Sequence, residues 1–75
     1  MKESDRDKLL NKFGENLKAA RLKAGLSQEN LANIVGLDRT YIGSVERGER
    51  NISLVNIVRL SKVLDIEPSA FFSGL

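Results

Sequence analysis

The sequence predicts an all-α protein of five short helices, and three observations predict it. Apolar residues recur at helical spacing through most of the chain. Ser27, Asp38 and Ser53 each head such a stretch, where a side-chain oxygen can accept from a free amide of the first turn. Gly25, Gly36 and Gly48 each follow one, where helices stop. With 75 residues, the chain is expected to form a single domain, 1–75.

The first helix is expected from about Asp5 to Lys23, with Ser4 as its candidate cap. Leu9, Leu10, Phe13, Leu17 and Ala20 recur along it with lysines between. Ser27 begins the second helix, accepting from the amide of Asn30 or Glu29, and Leu31, Ala32, Ile34 and Val35 supply its apolar face. Gly36 ends it after about two turns. Asp38 caps a third helix, about Arg39 to Arg47, in which only Ile42 and Val45 are clearly apolar. So narrow a stripe anchors one side of a helix and presents the other.

A polar loop, Glu49-Arg50-Asn51, leads to a fourth helix from about Leu54 to Leu64. Leu54, Val55, Ile57, Val58, Leu60, Val63 and Leu64 cover more than one of its faces, which points to a partner surface. Pro68 suits the first turn of a short fifth helix containing Ala70, Phe71 and Phe72.

Composition limits what such a domain can do. A net charge of +2 is too weak to establish nucleic-acid binding alone. Histidine is absent, which removes the commonest general base, and no glycine run resembles a phosphate loop. Neither an enzyme nor a cofactor or metal site is expected. With no cysteine there is no disulfide to supplement a small core, and dimerisation is the remaining way to bury apolar surface. The polar N-terminus has no signal-peptide pattern, and no stretch approaches a membrane span. A cytoplasmic protein without membrane contact is therefore expected.

The stretch from Gln28 to Gly48, QENLANIVGLDRTYIGSVERG, resembles the helix-turn-helix of the phage Cro and cI repressors and of the XRE-type regulators. Gln28 opens the second helix, Ala32 sits in its middle, Gly36 stands at the turn, and Ile42, Val45 and Glu46-Arg47-Gly48 complete the pattern. The likeness extends from Leu17, Arg21 and Gly25-Leu26-Ser27-Gln28 to Ser53-Leu54 and Leu60. The physical logic is plain: a small Ala32 lets the third helix approach, Gly36 permits the positive φ of a sharp turn, and Ile42 and Val45 lock the third helix down. The segment Leu37 to Ile42, with Glu46-Arg47 and Arg50-Asn51, is similar to the controller proteins of restriction–modification systems, which are short and dimeric.

The resemblance implies a five-helix repressor-like fold and double-stranded DNA as partner. Arg39 would donate two hydrogen bonds to guanine O6 and N7, with Thr40, Tyr41 and Ser44 also at base edges. The plain alternatives are a solvated Arg39, a Thr40 that merely fills a helix first turn, a Tyr41 half-buried against the second helix, and an incidental Ser44. Gln28, Arg47, Arg50 and Asn51 would meet phosphates. Arg21 and Glu46 would form an internal ion pair. Phe71 and Phe72 exceed what so small a core needs. One is expected inward, and the other at a homodimer contact with Val55, Val58 or Leu75.

Two subunits would then place their third helices in successive major grooves about 34–36 Å apart. Bound near a promoter, the dimer would recruit or occlude RNA polymerase. A controller would activate its own gene and an endonuclease gene, then repress at higher occupancy. The alternatives are an XRE-type antitoxin, a phage-like repressor, or a protein-interaction adaptor with the groove-facing helix unused.

Overall fold

The computed structural model describes residues 1–75 and contains helices only. In order they are α1 (Glu3–Lys23), α2 (Gln28–Val35), α3 (Arg39–Glu46), α4 (Leu54–Leu64) and a 3₁₀ turn (Pro68–Phe72). The count is therefore four α-helices, and the expected fifth is a single 3₁₀ turn. Five residues led by a proline, which lacks an N–H, are too few to repay nucleation of an α-helix.

α1 starts two residues before the expected Asp5, with Lys2 at the cap position and no side-chain cap. Ser4 lies inside the helix; Glu3 and Asp5 favour its positive end instead. Its other end closes by bonds from the Gly25 amide to the Leu22 carbonyl (2.9 Å) and from Leu26 to Arg21 (3.1 Å). The three expected caps all form. Ser27 Oγ accepts from the Asn30 amide at 3.0 Å, Asp38 Oδ1 from Thr40 at 2.7 Å, and Ser53 Oγ from Asn56 at 3.2 Å.

α1 packs against α3 and the 3₁₀ turn, while α2 packs against α3 and α4. Their facing residues make one core, built around Leu17, Leu31, Ile42, Val45, Leu60 and Phe71, all essentially inaccessible. Phe71 meets Phe13 at 5.3 Å between ring centroids. Asn16, on α1, ties down the terminal turn: its amide donates to the Phe71 and Ser73 carbonyls at 2.9 and 2.8 Å. No helix is long and apolar enough to cross a membrane.

Gly14, in the middle of α1, sets how closely that helix meets α3. A Cβ there would sit 2.5 Å from the Val45 carbonyl oxygen and 2.8 Å from the Glu46 carbonyl carbon. Both are backbone atoms, so no side chain can swing aside. A glycine inside a helix is unfavourable by about 0.5–1 kcal/mol relative to alanine. Here the close approach outweighs that gain. Gly14→Ala should lower stability by about 1–3 kcal/mol, read as a reduced urea midpoint with unchanged slope. A variant as stable as the parent would show that α3 does not lie where described.

Candidate nucleic-acid interface

The turn between α2 and α3 is closed from both sides. Gly36 ends α2 at φ +75°, with its amide and that of Leu37 donating to the Ala32 carbonyl at 2.9 and 3.0 Å. That left-handed backbone is open to glycine and strained for most side chains. Two residues later the Asp38 carboxylate restarts the helix. The effect is to aim the first turn of α3 outward: Arg39 and Thr40 are exposed, while every residue from Ile42 to Glu46 is buried.

The face that α3 offers is therefore shorter than expected. Ser44, expected at a base edge, is only 5% exposed, and its hydroxyl donates to the Tyr41 carbonyl at 2.8 Å. It lies on the buried side of the helix, beside Val45. Tyr41 is half-buried and packs against the core. Its hydroxyl accepts from Asn56 Nδ2 of α4 at 3.2 Å, and the Arg50 guanidinium lies over its ring at 5.8 Å. Asn56 Oδ1 in turn accepts from Arg59 Nη1 at 3.3 Å, and Arg59 Nη2 donates to the Val35 carbonyl at 2.7 Å.

Beneath the far end of α3 lies a charged network. Arg21 Nε donates to Glu46 Oε2 at 2.7 Å and Arg21 Nη2 to Glu46 Oε1 at 3.0 Å, with side chains only 8% and 3% exposed. Arg21 Nη1 also donates to the Leu26 carbonyl at 2.9 Å. The hydrogen bond and the charge of Glu46 raise the guanidinium above its ordinary range, against burial, which lowers it. Gln28 belongs to this network as well, because its Nε2 donates to Glu46 Oε1 at 3.0 Å. Its side chain is thus committed in part to the buried pair.

Arg39, Arg47 and Arg50 are exposed cations around this framework. Arg47 is clasped by Glu49 through two bonds of 2.9 and 3.1 Å. The Arg47 hydrogen bond holds the Glu49 carboxyl below its ordinary range, helped by the charges of Arg47 and Arg50. Asn51 is exposed in the following loop.

On α4, Leu54 and Val55 are 75% and 65% exposed, and Val58 lies at the edge of exposure. Phe72 is partly exposed but packs edge-on against Phe13 at 5.4 Å. Leu75 is exposed at the end of the chain. Phe71 is completely buried in the monomer, so it cannot serve a dimer contact. Of the two phenylalanines, Phe71 is the one that packs inward.

Sequence reasoning passes over Gly14, Asn16, Asn56 and Arg59. A glycine inside a helical stretch is the one available signal for Gly14. The other three are polar residues whose partners lie 15 to 57 positions away, and no local pattern marks them.

The fold, with a capped and outward-facing first turn on the second helix of the pair, defines a helix-turn-helix protein. The helix-turn-helix family model matches residues 17–71, and the chain belongs to that family. Within it, the chain groups with the controller proteins of restriction–modification systems. It is 48% identical to the control protein C.MunI of Mycoplasma over 65 residues, covering 85% of this chain and 88% of that one. The crystal structure of the controller C.AhdI from Aeromonas hydrophila superimposes with a TM-score of 0.81 at 59% identity, over 84% of this chain and 96% of that one. A third relative, the controller C.Esp1396I, is known as a tetramer in complex with its natural 35-base-pair operator. It matches at a TM-score of 0.76 and 39% identity, over 85% of this chain and 84% of that one.

Breaking the buried pair should be costly because it strands a charge. Glu46→Gln is expected to destabilise by about 3 kcal/mol, measured by urea unfolding. Arg21→Met with Glu46→Leu should recover much of that loss, since two apolar groups leave no charge unpaired. A Glu46→Gln variant of full stability would show the pair to be incidental.

Proposed function

We propose that this chain is a sequence-specific DNA-binding transcriptional regulator, the controller of a restriction–modification system, acting as a homodimer on a near-palindromic operator. One observation carries the proposal: α3 is buried along its length except for a polar, basic first turn. That is the part of a recognition helix that meets base edges when it enters the major groove. An adaptor that had abandoned its groove surface would not need Arg39 and Thr40 held outward by a dedicated cap.

Arg39 is the residue assigned to direct readout, through guanine O6 and N7. Thr40 lies beside it, and Tyr41 borders the same surface. Arg50 and Asn51, on the loop, are placed for phosphates, which fix orientation rather than sequence. Arg47 joins them if phosphate displaces Glu49. Gln28 gives one amide proton to Glu46 and keeps the other for a phosphate. The exposed Leu54, Val55 and Val58 of α4, with Phe72 and Leu75 as further candidates, are assigned to the subunit contact. The operator-bound tetramer of the relative C.Esp1396I supports assembly on DNA. Occupancy beside a promoter would then recruit or exclude RNA polymerase, with protein concentration as the control variable.

Arg39→Ala should weaken binding to the DNA upstream of the gene by about 1–3 kcal/mol, seen by gel shift, while helicity and non-specific binding at low salt persist. Undiminished affinity would remove Arg39 from the readout. Val55→Asp should move the sedimentation coefficient to that of a monomer at concentrations where the parent is dimeric. A variant that still dimerises would place the subunit contact elsewhere.

A further inference from the structure

The Tyr41 hydroxyl is the polar group of α3 whose hydrogen-bonding sense is decided by another helix. Arg59 has only donors to offer. The Asn56 atom that faces it at 3.3 Å must therefore be the carbonyl oxygen. That leaves the Asn56 amide nitrogen toward Tyr41 at 3.2 Å, where it can only donate. The Tyr41 oxygen accepts this bond, and the hydroxyl makes no other hydrogen bond within the chain. Its one proton is directed away from Asn56. Arg59 cannot easily turn, since the Val35 carbonyl at 2.7 Å and the Gly36 carbonyl at 3.5 Å hold it at the end of α2. Arg50 covers the ring.

We propose that Asn56, oriented by Arg59, is a positioning residue that makes Tyr41 an obligate hydrogen-bond donor toward DNA. The proposal rests on the DNA-binding function above and deepens it. A free hydroxyl can rotate to donate or accept, and so tolerates either kind of partner. A hydroxyl committed to donating meets a phosphate oxygen or an acceptor on a base edge. It is mismatched with the amino groups of adenine N6 and cytosine N4. The hydrogen-bonding sense at the edge of the recognition surface is thus set from α4, outside the helix-turn-helix itself.

The test is a double-mutant cycle on the operator, combining Tyr41→Phe with Asn56→Asp. An aspartate satisfies Arg59 and accepts the tyrosine proton, so the hydroxyl has nothing left to donate. Its added negative charge is present in both proteins that carry Asn56→Asp, and it cancels in the comparison between them. Tyr41→Phe should cost about tenfold in affinity beside Asn56, and less than about twofold beside the aspartate. Equal losses in the two backgrounds overturn the assignment of Asn56. A parent protein that binds no operator overturns the DNA-binding function itself. A methylphosphonate scan and base analogues lacking groove acceptors show whether the partner is phosphate or base, according to which one abolishes the tenfold effect. In the free protein, Tyr41→Phe should shift the side-chain amide NMR signals of Asn56. Unmoved signals overturn the proposal without reference to DNA.

Discussion

The recognition surface depends on how α3 is held at its far end. An eight-residue helix has too few internal hydrogen bonds to persist alone in water. α1 supplies what is missing, in two ways. Gly14 brings the backbones together at Val45 and Glu46, and Arg21 captures the Glu46 carboxylate in a two-point ion pair. With that end clamped, and Ile42 and Val45 sealed in the core, the opposite end is left outside.

The arrangement separates two tasks along one short helix. The C-terminal half faces inward and contributes stability; Arg39 and Thr40 of the first turn face outward, and Tyr41 joins the two. Thr40 illustrates the division, because its backbone amide serves the Asp38 cap while its side chain stays in solvent. α4 divides around its circumference instead. Ile57, Leu60 and Leu64 look inward, Leu54 and Val55 look outward, and Asn56 and Arg59 reach sideways to α3 and to the end of α2. One helix thereby touches the core, the proposed partner subunit and the recognition surface.

Much of this is legible in the amino-acid order, and for local reasons. Caps such as Ser27, Asp38 and Ser53 act on amides two or three residues away, so they announce themselves in sequence. Leu31, Ala32 and Val35 of α2 and Ile42 and Val45 of α3 turn inward as their spacing predicts, but Ile34, expected on the same apolar face of α2, is 60% exposed. Arg21 and Glu46 are paired in advance only through family resemblance, since a separation of 25 positions hides the contact from any local rule. The misplacements share a cause in three-dimensional packing. Ser44 reads as outward because Thr40 lies one turn before it, yet it is only 5% exposed, with its hydroxyl turned back onto the Tyr41 carbonyl. Phe71 and Phe72 are adjacent, and only the 3₁₀ turn, anchored by Asn16, decides which enters the core. Gln28 carries no local sign of its partner on another helix.

The Arg47–Glu49 clasp has a consequence for the ionic atmosphere. A bare arginine that meets a phosphate frees a condensed cation from the DNA, and this release makes binding fall steeply as salt rises. Arg47 arrives in an exposed ion pair with Glu49. Phosphate must compete with a tethered carboxylate, which no dilution of the buffer removes. The exchange gives up an internal pair in return for an external one. The contribution of Arg47 to salt sensitivity should therefore be gentler than that of an unpaired arginine.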